Sequence, residues 1–195
     1  MATKHKNEVK DLNLSQQAKG YVATQIELDK ALERLLDELE KAGKLDNTVI
    51  VLLADHYPYD LTLDSVNSLS DFTRDETIGV NHNALILWNS KLEDTKITKP
   101  CMSSDVIPTV YNLFGIDYDS RVFTGKDILS DSFGIAIMRD RSWITDKGKY
   151  YASKGKFEGE EVDDEYLRNI NNLVNNRLNI SKLIISTDYY NYLFK

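Results

Sequence analysis

Cysteine is nearly missing from this sequence. Cys101 stands alone, so no disulfide can close within the chain and no cysteine-rich zinc site can be built. Histidine is scarce as well: His5, His56 and His82 are the whole supply, which confines imidazole chemistry to three positions. No run approaches the ~20 consecutive apolar residues that a membrane-spanning helix needs, and residues 1–10 are polar rather than the apolar core of a signal peptide. Basic residues do not dominate either. The net charge is −7 with the acids dispersed, so the basic stripe that binds a phosphate backbone is lacking and nucleic acid is not an expected partner. There is no internal repeat, low-complexity tract or flexible linker, so the sequence suggests no boundary within residues 1–195, with 1–14 expected as a disordered leader.

What is present is ordinary globular material: 195 residues, 42% hydrophobic and 28% charged. A chain of this length buries roughly 70% of its unfolded surface when the elements that close its core are all supplied. From residue 15 to 43, Leu28, Leu32, Leu35, Leu36 and Leu39 recur at helical spacing, with Ser15 suited to cap the start and Gly43 to end it. Asp46-Asn47 reads as a turn. The run Thr48-Val49-Ile50-Val51-Leu52-Leu53-Ala54 that follows has the composition of a parallel strand buried on both faces.

That strand ends abruptly in Asp55-His56-Tyr57-Pro58, and open α/β sheets bind ligands at the carboxyl ends of their strands. Residues 60–82 read as an excursion outside the sheet, and residues 83–88 as a second strand. Ser104 is placed to cap a helix over 105–114 that Gly115 ends. Residues 133–138, 142–145 and 150–153 read as short antiparallel strands joined by charged turns. Helical period returns from Asp163 through Leu178, with residues 181–194 as a second helical segment. Helix followed by buried strand predicts an α/β fold.

An Asp-His pair offers a hard carboxylate oxygen and a borderline imidazole nitrogen side by side, a combination suited to manganese, zinc or a similar ion. Two donors do not complete a site, and on spacing alone a hydrogen-bonded structural His56 is the simpler reading. His82 precedes the second strand and is a secondary candidate for the same cleft, where it would contact substrate; a solvated loop histidine is the plainer account. Arg121, Arg139 and Arg141 are possible anion contacts, although surface arginines commonly pair locally. Cys101 has no evident activating partner.

The order of motifs adds a second line of argument. Asp46-Asn47-Thr48-Val49-Ile50-Val51, Ala54-Asp55-His56-Tyr57 and the stretch from Ser103-Ser104-Asp105-Val106-Ile107-Pro108 to Phe114-Gly115 resemble consecutive signatures of the alkaline phosphatase and sulfatase superfamily. Asp55-His56-Tyr57-Pro58-Tyr59, Tyr118-Asp119-Ser120-Arg121, Gly125-Lys126-Asp127-Ile128 and Arg141-Ser142-Trp143-Ile144-Thr145-Asp146-Lys147-Gly148 are similar to its lipoteichoic acid synthase branch.

The resemblance implies part of an alkaline phosphatase-like sheet flanked by helices, with a small antiparallel C-terminal appendage and terminal helices. It implies a divalent metal, manganese above zinc or magnesium, held in the family by a Glu, a nucleophilic Thr and an Asp-His pair that falls here on Asp55 and His56. The substrate it implies is an anionic phospholipid headgroup or glycerol phosphate, at the outer face of a bacterial membrane.

The family's Glu and Thr lie upstream of the long helix, where this sequence has only residues 1–16. No catalytic nucleophile is therefore expected among these residues, and the chain is expected to be the C-terminal portion of such an enzyme, inactive alone. On that reading it pairs with a missing N-terminal half or with itself. The alternatives are a non-catalytic binding or vestigial module and a portion of a sulfatase proper.

Overall fold

The computed structural model describes residues 3–195. Where the sequence suggested no internal boundary, the chain divides into two compact units that meet in sequence at Lys96 and Ile97.

The first unit is built on α1 (Lys6–Val9) and α2 (Gln16–Lys41). Ser15 caps α2 as expected, accepting from the Ala18 amide, and Gly43 follows the helix in the left-handed region at φ 64°, a conformation glycine adopts without a Cβ penalty. The same Ser15 hydroxyl lies 2.8 Å from that of Ser65 in α3 (Leu63–Asn67), so the cap also ties the two helices together. The leucine stripe is less covered than its period suggests: Ala18 and Ala23 are buried, but Leu28 and Leu35 are exposed.

The leader is a correction. Residues 3–14 pack rather than trail, because His5 is buried with both ring nitrogens on carboxylates: Nδ1 lies 2.9 Å from Glu8 Oε1, and Nε2 meets Glu27. Lys4 Nζ reaches the same Glu27 carboxylate at 2.7 Å.

These contacts favour the imidazolium. The Glu8 hydrogen bond, then that of Glu27, holds the His5 pKa above its ordinary 6.5. Lys4, then His5, holds Glu27 down at about 2 from an ordinary 4.5, and His5 lowers Glu8. The raised His5 contributes stability that is fully present below pH 6.5 and is lost as pH rises through its folded value. The depressed glutamates contribute stability present above 4.5 and lost as pH falls through their folded values, about 2 for Glu27. Docking of the segment is therefore expected to be strongest between pH 4.5 and 6.5. Hydrogen exchange at the Val9 amide, followed against pH, should slow within that window, and His5→Ala should flatten the profile.

The first unit's strands correct a second expectation. β1 (Ile50–Leu53) and β2 (Leu85–Trp88) form a two-stranded antiparallel sheet in the register Leu53↔Leu85 to Ile50↔Trp88, not a parallel one. Leu53 and Ile86 are exposed. Beyond the far end of the ladder, Asp46 accepts from the Ser90 hydroxyl at 2.7 Å and pairs with Lys91 at 3.2 Å, while the Asn89 amide donates to the carbonyls of Asp46 and Thr48. The Asp46-Asn47-Thr48 motif is thus a splice that aligns the strands.

The second unit places α4 (Val106–Leu113) after a one-turn 3-10 helix, Ser103–Asp105. Asp105, rather than the expected Ser104, organises this start. Its carboxylate accepts from the Met102 amide and from the Lys126 amide, both at 2.9 Å. Thr109 donates to the Asp105 carbonyl at 2.6 Å and accepts from Ile128 at 2.9 Å. Gly125 is needed in this clamp because a Cβ there would stand 1.9 Å from the Ser104 carbonyl oxygen.

β3 (Ala136–Ile137), β4 (Trp143–Thr145), β5 (Gly148–Tyr151) and β6 (Lys156–Gly159) follow as an antiparallel meander, the fourth strand beyond the three expected. α5 (Asp164–Ser186), capped by Asp163, covers the meander, and α6 (Tyr189–Leu193) ends the chain's regular structure. Ile135, Trp143, Ile170 and Val174 form the buried centre, with Tyr150, Phe157 and Tyr166 around it.

Candidate metal centre

Asp55 and His56 lie in a bend just past the carboxyl end of β1, where the ladder ends at Leu53. One carboxylate oxygen, Asp55 Oδ1, accepts the His56 backbone N–H at 2.8 Å and fixes the side chain against its own backbone. The other, Oδ2, lies 3.4 Å from His56 Nε2, too far for a good hydrogen bond. The Asp55 side chain is 87% exposed and that of His56 45%, so both donors face water.

The neighbours orient the imidazole. Nδ1 lies 2.7 Å from the Tyr57 carbonyl oxygen. A carbonyl only accepts, so Nδ1 carries a proton, which leaves Nε2, on the Asp55 side, as the nitrogen that could ligate an ion. Tyr59 stacks on the ring with centroids 4.2 Å apart and planes 5° from parallel, and Tyr57 meets Tyr59 edge-on at 4.7 Å. Tyr57-Pro58-Tyr59 is therefore a bracket for the imidazole, marked in the sequence by two aromatics two residues apart beside a histidine.

These residues fit half of a metal site. Donors about 2.1 Å from one ion at a near-tetrahedral angle stand roughly 3.4 Å apart, which is the observed Oδ2 to Nε2 separation. A carbonyl-bonded Nδ1 is the usual support of a ligating imidazole. Among the described residues no group of three or more His, Cys, Asp and Glu is arranged to hold a metal, so Asp55 and His56 stand as a two-donor arm.

The antiparallel register puts His82 at the same end of the ladder, three residues before Leu85. Its ring packs at 5.2 Å from Phe72, and its carbonyl accepts from Arg74 Nη1 at 2.5 Å. Arg74 also donates to Gly79 and lies 4.5 Å over the Phe72 ring. The Asp75 carboxylate accepts the amides of Thr77, Ile78 and Gly79 and so shapes the turn that leads to His82. The loop that carries His82 is held mainly by these backbone contacts.

Arg121 and Arg141 are engaged by other side chains of the protein. Arg121 grips Asp119 through Nε and Nη2, at 2.9 and 2.6 Å, which holds the Asp119 pKa down at about 2. Arg141 donates to Asn175 at 2.6 Å. The Cys101 thiol is half-buried, and burial together with Asp105 raises its pKa, away from the thiolate that reactive cysteines need.

Comparison with known proteins addresses the family and the fold. The Sulfatase family model matches residues 2–116. Lipoteichoic acid synthase 2 of Bacillus subtilis (strain 168) is 28% identical over 172 residues, covering 83% of this chain and 26% of the relative. Lipoteichoic acid synthase of Staphylococcus saprophyticus is 29% identical over 136 residues, covering 67% of this chain and 21% of the relative. The chain thus spans about a quarter of the length of these relatives. The crystal structure of the lipoteichoic acid synthase LtaP from Listeria monocytogenes superposes with a TM-score of 0.65 at 21% identity, over 94% of this chain and 49% of that one. That likeness bears out the expected α/β fold of alkaline phosphatase type. With the family model covering more than half its residues, the chain belongs to the Sulfatase family.

Proposed function

We propose that this chain contributes the Asp-His arm of the metal centre in a phosphoglycerol transferase or phosphodiester hydrolase of lipoteichoic acid synthase type. The observation that carries this reading is the 3.4 Å approach of Asp55 Oδ2 to His56 Nε2 with Nδ1 committed to the Tyr57 carbonyl. The relatives named lipoteichoic acid synthase support the substrate class, an anionic phosphatidylglycerol-type headgroup or glycerol phosphate, and a setting at the outer face of a bacterial membrane.

A carboxylate oxygen beside an imidazole nitrogen suits manganese, zinc or a similar divalent ion, and the family resemblance puts manganese first, with zinc or magnesium next. A divalent ion bound there supplies Lewis-acid polarisation of a phosphoryl oxygen and lowers the pKa of a coordinated hydroxyl. The chain's own residues do the positioning: Asp55 presents an anionic oxygen, the Tyr57 carbonyl fixes the His56 tautomer, and the Tyr59 ring limits rotation of the imidazole. His82, at the same end of the ladder, is the proposed headgroup contact.

Two donors leave a shell incomplete. The nucleophile and remaining ligand are proposed to come from protein outside these residues, and the chain alone is proposed to be inactive. The test is calorimetric titration with Mn²⁺ of the chain and of its Asp55→Ala and His56→Ala variants. Micromolar affinity, roughly −8 kcal/mol, is expected for the unaltered chain and no detectable heat for either variant. Equal binding by all three would refute the assignment. Turnover of bis-nitrophenyl phosphate by the chain alone would contradict the proposed lack of a nucleophile.

A further inference from the structure

A groove between α1 and the first turns of α2 has cationic walls. Lys6, Val9 and Lys10 line it on one side, and Gln16, Lys19 and Gly20 on the other, around a space of about 140 Å³. That is room for a few waters at ~30 Å³ each, and less than the ~300–1,000 Å³ of pockets that enclose larger organic ligands. Its occupant is small.

No acid lines the groove. Glu8 is turned to His5 and to Lys30, at 2.9 and 3.8 Å, and Asp11 lies outside the lining. Lys19 Nζ donates to the Lys10 carbonyl at 2.7 Å, which ties the two walls together and brings a third ammonium to the space. The ammonium groups of Lys6 and Lys10 meet no hydrogen-bond or ion-pair partner among the described residues. Like charges gathered around one cleft repel each other and raise the local concentration of anions.

Gly20 is an independent observation. It lies inside α2, where glycine costs helix stability relative to alanine, yet a Cβ there would meet nothing within 4 Å. Packing does not require this glycine. A side chain would take up only open space at the groove that Gly20 lines, so the residue keeps that space free.

We infer that the groove binds a phosphate-type oxyanion, either the free ion or the head of a phosphate ester. A tetrahedral group offers enough oxygens to meet three separate ammonium groups, and lysine serves phosphate as a point charge, without the planar two-oxygen match that arginine makes. The Gln16 side-chain amide supplies a neutral donor on the same wall. No residue of the groove belongs to the Asp55-His56 arm, so the inference stands apart from the metal reading.

The test is titration of the isotope-labelled chain with inorganic phosphate in metal-free buffer at constant ionic strength, followed by amide chemical shifts, with chloride as control. Saturable shifts are expected at Lys10, Lys19 and Gly20, with half-saturation on the order of 1 mM. Lys6→Ala combined with Lys10→Ala should weaken binding about tenfold. Gly20→Leu should abolish it while raising the melting temperature by about 2–4 °C, because leucine is the better helix former. Shifts no larger than those with chloride, shifts centred on other residues, or undiminished binding by Gly20→Leu would overturn the inference. Glycerol phosphate and phosphatidylglycerol vesicles identify the source. The same shifts with the soluble ester assign the groove to free phosphate esters, and vesicle binding that Gly20→Leu abolishes assigns it to a lipid headgroup.

Discussion

Trp143→Ala is expected to cost the second unit about 3–5 kcal/mol, the range for removing a large buried aromatic. Trp143 is fully buried in β4 and is the largest such side chain. Its ring stacks on Tyr150 with centroids 5.3 Å apart, and Phe157 and Tyr166 close the shell at 5.7 and 6.3 Å. The indole N–H donates to Asn171 Oδ1 on α5 at 2.9 Å. Alanine opens a cavity between meander and helix and leaves that amide oxygen unpaired. In a chain of this size each kcal/mol moves the midpoint by about 2–4 °C, so a fall on the order of 10 °C is expected in near-ultraviolet circular dichroism. Trp143→Phe, which keeps most of the volume and loses the hydrogen bond, should cost well under half as much. Equal losses would mean that the hydrogen bond, not the packing, dominates.

The second large effect is expected at Asp105. Asp105→Ala deletes two hydrogen bonds from a buried carboxylate, to the amides of Met102 and Lys126, and leaves both N–H groups without their acceptor. Bonds to charged groups contribute about 1.5–3 kcal/mol each, so a loss of about 3 kcal/mol or more is expected in chemical denaturation. The damage should be centred on residues 102–128, where amide exchange at Lys126 and Ile128 should accelerate first. If those amides kept native protection in the variant, the clamp would be held by packing instead.

Asp105 also shows how a motif can mark a family without marking its chemistry. The stretch from Ser103 to Gly115 carried much of the resemblance, yet here it builds a clamp between α4 and the loop of residues 119–128. Asp46 plays a comparable part at the far end of the β1–β2 ladder. In both places an acid satisfies backbone or neighbouring side-chain donors, which a spacing rule cannot separate from ligation.

Helix ends were legible where the residue that caps or stops the helix acts locally, and not at the end of α5, which runs to Ser186, past the expected Leu178. Ser15 and Asp163 cap α2 and α5, and Gly43 and Gly115 take the left-handed conformation after α2 and α4. What depends on distant partners was not legible. The run over residues 48–54 has the composition of a buried strand, but composition does not specify which neighbour pairs with it or in which direction, and β1 pairs antiparallel to β2 with Leu53 exposed.

The polar look of residues 1–14 hid His5, whose burial rests in part on Glu27, 22 positions away. β6 was missed because Lys156-Phe157-Glu158-Gly159 is short and half charged. Its pairing is set by Gly148 and Gly159, at φ 150° and 158°, whose backbones approach too closely for a Cβ on either residue. At the candidate centre the dipeptide Asp55-His56 was visible as an abrupt polar end to an apolar run. The tautomer set by the Tyr57 carbonyl and the stack with Tyr59 emerged only with the loop conformation.

The central claim, that His56 ligates a divalent ion, is tested most directly by pulsed electron paramagnetic resonance of Mn²⁺ added to the purified chain. Coordination by imidazole predicts nitrogen modulation from one histidine that disappears in His56→Gln and persists in His82→Gln. A spectrum of the fully hydrated ion, or nitrogen coupling that survives His56→Gln, would contradict the account.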